Sequence, residues 1–300
     1  MKANLLLITK FHISENLSHL TFMKKLVIID LSNIIYRAFF GLQQPLKTPE
    51  GVMVNAVYGT FNMIYSMISD LKPDSIVAAL DSRKSDRKEE YAEYKSNRSK
   101  MPDDLRPQIP MIHDLLTAMN IQMVEEPGLE ADDLIYSLVE QGKHFDQIFI
   151  ISGDKDLMQL VNDQVKIYDT MKQKTFNRES VFEKFGVSPE QIVDYLSIVG
   201  DASDCIPGVN GIGDKGAAKL LATYGSLDKI YEAIETIKPD GLKAKLIAGK
   251  ESAYLSQNLA KLRLAKTSIE ILPWVLNKDL ALAPLTKWNM KSAIAKIKEL

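Results

Sequence analysis

The sequence predicts an α/β fold, a parallel sheet flanked by helices, followed by a helical part. Short apolar runs alternate with amphipathic stretches through the first half of the chain, which is the pattern of strands joined by crossover helices. From about residue 188 onward only helical patterns remain, separated by short turns. We therefore expect two regions that pack together, with a boundary near residues 175–190 and no long linker.

The first half predicts five strands and the helices that connect them. Apolar runs bounded by polar or turn residues predict strands at 25–30, 75–81, 121–125, 147–152 and 164–168. Amphipathic stretches predict helices at 55–71, 104–119 and 131–141, and a short helix at 156–161. The carboxyl ends of parallel strands then lie along one edge of the sheet, where open α/β sheets bind ligands.

The second half predicts short helices around a glycine-dense turn at 208–216. The helices are expected at 189–199, 216–224, 227–234, 241–249 and 251–261. We assign residues 24–180 to the α/β domain and residues 181–300 to the helical domain. Residues 1–23 contain only a four-residue apolar run, too short for a signal-peptide core, so we expect a disordered leader or a natural start at Met23.

Composition excludes several classes of protein. The net charge of −2 gives no overall basic field, so any attraction to nucleic acid must come from local patches. The single cysteine, Cys205, excludes an intrachain disulfide and fits a reducing compartment. No apolar run approaches the roughly 20 residues that span a bilayer.

Acidic residues recur where the predicted strands end and where helices begin. Each one alone is more often a helix cap or a turn former than a ligand, but their joint placement at consecutive strand ends favours one shared site. Carboxylates so close together raise one another's pKa unless cations neutralise them, and all-oxygen ligands favour Mg²⁺ or Mn²⁺ over zinc. Two such ions about 4 Å apart suit phosphodiester hydrolysis. The candidate metal ligands are Asp30, Asp81, Glu130, Asp132, Asp133, Asp154, Asp156, Asp201 and Asp204.

A basic segment follows Asp81. Between Arg83 and Lys100 lie seven Lys or Arg residues and four Asp or Glu residues, with Tyr91 and Tyr94 interleaved. Composition alone favours a solvated helix of mixed charge. Beside an acidic metal site, the same segment would suit a single DNA strand, with cations on its phosphates and rings under its bases.

The glycine-dense turn reads GVNGIGDKG. Glycines allow a tight turn that presents backbone N–H groups to a phosphate at a helix start. A dinucleotide-binding fingerprint is a poor alternative because no strand precedes these glycines, and the P-loop pattern is absent.

Five ordered motifs make the chain resemble the 5′-nuclease family. This family includes the N-terminal 5′→3′ exonuclease part of bacterial DNA polymerase I, phage 5′-exonucleases and flap endonucleases, and the polymerase I type is the closest. The motifs are DLSNIIYRAFF (30–40), YAEYKSNR (91–98), GLEADD (128–133), SGDKDLMQLV (152–161) and VGDASDCIPGVNGIGDKGAAKLL (199–221). The resemblance implies a PIN-like or resolvase-like sheet and a helix-hairpin-helix (H3TH) element at about residues 204–224.

The resemblance also implies roles for single residues. All nine acids match the metal site of the family. Lys95 matches the catalytic lysine of the family. Arg37 matches a basic residue near the scissile phosphate. Arg87 and Arg98 match basic residues of a helical gateway. The element that holds duplex phosphates, with a K⁺ ion on its turn carbonyls, is matched by Gly211, Ile212, Gly213 and Lys215. The chain departs from the usual family pattern at Leu31, Asp86 and Cys205, where the family has glycine, an aromatic residue and asparagine.

The function expected from these observations is DNA hydrolysis with two or more Mg²⁺ or Mn²⁺ ions. We expect a monomeric 5′→3′ exonuclease or flap endonuclease that acts on a 5′ flap, nick or single-strand/duplex junction, in primer removal and repair, in the bacterial cytoplasm near the nucleoid. A non-catalytic DNA-structure binder is disfavoured by the complete acid set, and a PIN-like ribonuclease by the glycine turn. The chain is either part of a polymerase I or a stand-alone nuclease.

Overall fold

A computed structural model describes residues 23–42, 46–82, 86–265 and 268–300. A six-stranded sheet runs through the first half in the order β3-β2-β1-β4-β5-β6, and only β6 is antiparallel to its neighbour. The strands are β1 (Lys25–Asp30), β2 (Ser75–Ala79), β3 (Gln122–Val124), β4 (Gln147–Ile151), β5 (Val165–Asp169) and β6 (Lys174–Phe176). The predicted α/β class is therefore confirmed. The expected leader at residues 1–22 lies outside the described residues.

The central strand β1 explains how the sheet divides the core. Successive side chains of a strand point to opposite faces, and both faces of β1 are buried. Leu26 and Ile28 belong to one hydrophobic cluster, whereas Val27 and Ile29 belong to the other. The sequence of β1 is therefore apolar at successive positions, because helices cover both faces of the sheet.

Helices of the first half cover both faces of the sheet. They are α1 (Leu31–Gly41), α2 (Asn55–Leu71), α3 (Asp86–Glu90), α4 (Gln108–Ala118) and α5 (Ala131–Gln141), with a 3₁₀ turn at Asp156–Leu160. Helix α1 begins directly after β1, and the Asp30 side chain accepts the Asn33 N–H as its N-cap. The first strand and the first helix thus place Asp30 at the edge of the sheet.

The second half is helical, as predicted. It contains α6 (Arg178–Phe185), α7 (Ile192–Val199), α8 (Asp214–Tyr224), α9 (Leu227–Glu232), α10 (Asp240–Ala248) and α11 (Lys250–Ala260), with 3₁₀ turns at Pro189–Gln191 and Ile234–Thr236. Buried residues of α7, α8 and α11 join the same cluster as Leu26 and Ile28 of β1. One continuous core therefore links the sheet to the helical half.

The last two helices return to the other face of the sheet. Helices α12 (Lys278–Lys287) and α13 (Lys291–Glu299) and the turn between them bury Leu285, Trp288 and Ile297 in the cluster that contains Val27 and Ile29. Their sequence position lies in the predicted helical domain, but they pack on the α/β half. None of the helices in the described ranges has the length and apolarity that a bilayer crossing requires.

Candidate metal and DNA-binding site

Five of the predicted metal ligands line one cleft at the carboxyl edge of the sheet. The cleft has a volume of about 690 Å³. Its acids come from the ends of β1, β2 and β4 and from the start of α5, as the strand order requires. They are Asp30, Asp81, Glu130, Asp132 and Asp154. Asp81 also accepts the Ala131 N–H at 3.0 Å, which places its carboxylate at the N-terminus of α5.

Three further acids lie against this group. Asp156 is buried in the 3₁₀ turn after β4, and burial together with the charges of Asp154, Asp201 and Asp204 raises its pKa. Asp201 and Asp204 are held by a tight turn in which Asp201 and Ile206 exchange two backbone hydrogen bonds of 2.8 Å. The helical half thus contributes carboxylates to the site of the α/β half.

Asp133 is the one predicted ligand that the structure does not bring to the cleft. Asp133 is 1% exposed, and its carboxylate accepts two hydrogen bonds from Arg87, at 2.6 and 2.8 Å. It also accepts the Arg263 N–H at 2.8 Å. Both of its oxygens are therefore occupied by donors, and one of these donors, Arg87, also lies 3.5 Å from Glu130 Oε2.

Crowding of desolvated carboxylates governs the electrostatics of the cleft. Burial raises the pKa of Asp30 to about 7, although hydrogen bonds from Ser152 and Asn33 oppose the shift. Burial and the neighbouring charges of Asp154 and Asp30 also raise the pKa of Asp132. These carboxyls would be ionised more readily if a cation neutralised the site.

Basic side chains balance part of this negative charge. Lys95 donates to Glu130 Oε2 at 2.7 Å and lies 3.6 Å from Asp204 Oδ2. Arg98 donates to Asp204 at 2.8 Å, and Lys155 lies 3.0 Å from Asp201. Burial would lower the pKa of Lys95, but Tyr94 and the two carboxylates outweigh it and raise that pKa. Lys95 and Arg98 line the cleft, so the structure brings both predicted cations to the acids.

Tyr94 lies differently from the prediction that its ring stacks under a DNA base. Its side chain is 4% exposed, and its hydroxyl donates to Glu130 Oε2 at 3.0 Å. The Lys95 ammonium lies 4.9 Å from the ring centroid. Because the ring is buried, Tyr94 orders Lys95 and Glu130 and offers no ring face to a base.

Arg37 reaches the edge of the site from α1. Its guanidinium donates to Asp169 at 2.8 Å and lies against Gly153, the residue before Asp154. A Cβ atom at Gly153 would lie 1.5 Å from Arg37 Nη2, so glycine is required for this close approach. Arg87, in contrast, is 3% exposed and does not line the cleft.

The donor set fits hard divalent cations. Carboxylate oxygens are the ligands that Mg²⁺ and Mn²⁺ prefer. Asp156 Oδ1 is buried and has no hydrogen-bond partner among the described residues, which is an arrangement that a cation would satisfy. With the side chains as they stand, no group of three acid, His or Cys residues in the described ranges is gathered tightly enough to hold an ion. The carboxylates instead form ion pairs with Lys95, Arg98 and Lys155.

The glycine turn precedes α8. Gly211 has a positive φ of 78°, and Gly213 is the N-cap of α8 without any side-chain cap. Ile212 is buried in the first cluster, so it anchors the turn through its side chain. Lys215 is exposed in the first turn of the helix. The Gly211 carbonyl accepts a hydrogen bond from Lys245 at 3.0 Å.

Several residues that contact the site are not predicted from the sequence. Ser152 donates to Asp30 at 2.7 Å, and Asn33 accepts the Gly153 N–H. Lys155 and Asp169 pair with predicted site residues. Ser152 and Lys155 lie inside the SGDKD motif and could have been noted, whereas Asp169 could be found only from the fold. Arg83 and Lys84, counted in the basic segment, lie outside the described residues.

Comparisons with known proteins agree with this geometry. The chain matches the model of the 5′-3′ exonuclease N-terminal resolvase-like domain over residues 25–186 and that of the 5′-3′ exonuclease C-terminal SAM fold over residues 187–275. It is 48% identical over 244 residues to DNA polymerase I of Caldicellulosiruptor bescii, which covers 79% of this chain and 28% of that protein. It is 42% identical over 243 residues to a 5′-3′ exonuclease of Aquifex aeolicus, which covers 80% of this chain and 82% of the relative.

A solved structure shares the fold. The bacteriophage T5 D15 flap endonuclease, in a complex with DNA and metal ions, superimposes with a TM-score of 0.66. The sequence identity is 21%, and the match covers 92% of this chain and 98% of the phage protein. At this identity the likeness shows the fold alone.

Proposed function

The chain belongs to the 5′–3′ exonuclease family, and we propose that it hydrolyses a DNA phosphodiester near the 5′ end of a flap, nick or single-strand/duplex junction. One observation carries the proposal. Acids from three strand ends and one helix start line a single cleft together with Lys95 and Arg98. That cleft combines the ligands that divalent cations prefer with cations that a phosphate would contact. The DNA-bound phage structure with the same fold supports DNA as the substrate.

Divalent metal ions fit the acid cluster. The residues that would hold them are Asp30, Asp81, Glu130, Asp132, Asp154, Asp156, Asp201 and Asp204. When bound, two Mg²⁺ or Mn²⁺ ions would supply an activated water and stabilise the charge of the leaving oxygen. Metal ions named in the T5 complex support this proposal.

The chain's own cations would hold the scissile phosphate. Lys95 and Arg98 reach the cleft from a segment next to Glu130 and Asp204, so a phosphate drawn to the site would meet both. Their charges would stabilise negative charge that develops on the phosphate oxygens. Arg37 would approach the same phosphate from α1, beside Gly153 and Asp154.

The glycine turn would hold the downstream duplex. The uncapped N-terminus of α8 presents backbone N–H groups, and Lys215 adds a charge in its first turn. Ile212 would act through its backbone, because its side chain is buried. A K⁺ ion on the turn carbonyls would lie near the Lys245 ammonium, which already bonds Gly211.

A cleavage assay on a labelled 5′-flap substrate tests the proposal. We expect Mg²⁺-dependent cleavage that EDTA abolishes, and we expect Asp154→Ala to reduce cleavage to the EDTA level while binding of the flap in Ca²⁺ persists. The matched control is Asp163→Ala, which removes an exposed acid before β5, away from the cleft. Equal cleavage by wild type and Asp154→Ala would exclude the site. Binding without cleavage by wild type would favour a DNA-structure binder, and preference for an RNA flap would favour a ribonuclease.

A further inference from the structure

We propose that Arg87 and Asp133 form a buried tie between the two halves of the protein that positions Lys95, and that neither residue contacts DNA or metal. We call this pair and its backbone partners the Arg87 tie. The inference rests on the proposed function, because Lys95 matters only if the cleft hydrolyses DNA. It assigns to Arg87 and Asp133 a role different from the gateway and metal-ligand roles that the family resemblance implies.

The contacts of Arg87 account for its whole guanidinium group, and Nη1 also lies 3.5 Å from Glu130 Oε2. Nη1 and Nη2 donate to the two oxygens of Asp133 at 2.6 and 2.8 Å, which is a bidentate pair. Nε donates to the Leu259 carbonyl at 3.0 Å, and Nη2 also donates to the Lys261 carbonyl at 2.9 Å. With 3% of its side chain exposed, Arg87 has no surface left for a DNA phosphate.

The two carbonyls belong to the C-terminal end of α11. The last carbonyls of a helix have no partner within the helix, and a cation there also interacts favourably with the helix dipole. Arg87 therefore caps a helix of the helical half from a residue on α3, 172 positions earlier in the chain. A guanidinium at the protein surface would not reach these two helix-end carbonyls.

Asp133 fixes the same junction from the α/β half. It lies in the first turn of α5 and accepts the Arg263 N–H just after α11. Two further residues on the same face of α5 continue the contact, since Ser137 accepts the Ala265 N–H at 2.7 Å and Gln141 the Ile269 N–H at 2.6 Å. Residues spaced by four lie on one side of a helix. Helix α5 therefore holds the chain that leaves the helical half.

A short, hydrogen-bonded path joins the tie to Lys95. The Tyr91 N–H donates to the Arg87 carbonyl and the Tyr94 N–H to the Tyr91 carbonyl, both at 2.9 Å. The Lys95 N–H then donates to the Asp204 carbonyl at 3.0 Å, and Lys95 has a positive φ of 53° that this contact holds. Arg87 thus fixes the start of the segment 87–95, and the hydrogen bond from Lys95 to Asp204 of the helical half fixes its end. The Lys95 ammonium is aimed at Glu130 as a result.

A second ion pair between the same elements serves as an internal comparison. Glu90, also on α3, accepts hydrogen bonds from Arg263 at 2.7 and 2.8 Å. Its side chain is 42% exposed and that of Arg263 is 28% exposed. This pair spans the same junction, but solvent screens its charges more than it screens the buried Arg87 tie.

The test uses Arg87→Lys and Asp133→Asn in the full chain, with Arg263→Lys as the matched control. A lysine keeps the charge but cannot reach Asp133 and the two carbonyls together. We expect each variant at the tie to lower the single-turnover cleavage rate of a 5′-flap substrate by about 10- to 100-fold, the range that small misplacement of a catalytic group produces.

Flap binding in Ca²⁺ should change by less than about threefold, because Arg87 and Asp133 do not touch the substrate. Amide exchange at residues 91–95 should become faster while exchange in β1 and β4 stays the same. Arg263→Lys should leave all of these quantities close to wild type.

Two results with the variants would overturn the proposal, and a third would do so in the wild type. One is a wild-type cleavage rate in both variants at the tie, and another is a loss of flap binding as large as the loss of rate, which would mean that Arg87 contacts DNA. Should neither variant fold, amide exchange in the wild type decides. Exchange at Tyr91, Tyr94 and Lys95 as slow as in β1 supports the tie, and exchange as fast as in an exposed loop contradicts it. Absence of any cleavage by wild type would refute the proposed function, while the exchange measurement would still judge the tie.

Discussion

Cys205 adopts a backbone conformation that suits asparagine better than cysteine. Its φ is +57°, in the left-handed region, where a side chain without a local hydrogen bond costs roughly 1 kcal/mol. The family resemblance indicates asparagine at this position, and asparagine tolerates the left-handed region. We expect Cys205→Asn to raise the free energy of unfolding by about 0.5–1 kcal/mol in a urea titration. Cys205→Ala keeps the strain and should give no gain. Equal stability of the two variants would contradict this account.

Gly153 tests the placement of Arg37 without altering Arg37 itself. In Gly153→Ala the new methyl group would meet the Arg37 guanidinium, which is the mobile end of a long side chain and can move away. We therefore expect a small change in melting temperature and a loss of cleavage rate close to that of Arg37→Ala. Gly241→Ala is the control, because a Cβ there meets no atom within 4 Å. A Gly153→Ala variant that cleaves at the wild-type rate would mean that Arg37 need not lie where the structure places it.

At the scale of elements, the sequence predicts strands better than it predicts the connections between them. The strands β1, β2 and β4 are apolar runs whose burial on both faces leaves a plain signal. Helix α1 is absent from the sequence prediction, although Leu31, Ile34, Ile35 and Ala38 show helical spacing and are buried. Strand β6 has three residues, too few for a pattern. Helices α12 and α13 depend on packing with elements about 200 positions earlier, which no local pattern reports.

Helix α2 receives its N-terminal cap from another element. Its N-cap residue, Val54, has no side-chain acceptor, and the Gln108 side chain of α4 accepts the Ala56 N–H at 2.8 Å. Gln108 is fully buried and also donates to Asn55 and to the Asp104 carbonyl, at 2.9 Å each. Replacing it leaves buried donors and acceptors without partners, so we expect Gln108→Leu to lower the free energy of unfolding by about 1–3 kcal/mol in a urea titration. Gln173→Leu, at an exposed turn, should change it by less than about 0.5 kcal/mol. Similar losses in both variants would show that Gln108 contributes no specific cap.

For the whole molecule, the acids of the site were predictable and their partners were not. Strand ends converge in any parallel sheet, so Asp30, Asp81 and Asp154 could be placed in one cleft from the order of elements alone. Spacing along the chain could not show that Asp133 turns to Arg87, because that pair depends on how the helical half docks against α5. The positions of the site carboxylates can therefore be predicted from the order of strands. The side chains that pair with them can be identified only from the tertiary packing.

A site built from crowded carboxylates should destabilise the protein until cations bind. Asp154 lies among acids whose pKa values burial and mutual repulsion raise, and its Oδ1 accepts the Asp156 N–H at 3.0 Å, a bond that an asparagine oxygen can keep. We expect Asp154→Asn to raise the free energy of unfolding in EDTA by about 0.5–2 kcal/mol, the range of a stabilising change at a functional site. Mg²⁺ held at the proposed site would bind only the folded protein, so at about 100 times its dissociation constant it should stabilise wild type by about 2.7 kcal/mol, and the variant by less. Melting curves of both proteins across a Mg²⁺ titration measure this difference, with Asp163→Asn as the control that should follow wild type. Equal stabilisation of wild type and Asp154→Asn by Mg²⁺ would place the bound ion away from the carboxyl edge of the sheet, and with it the chemistry proposed for this cleft.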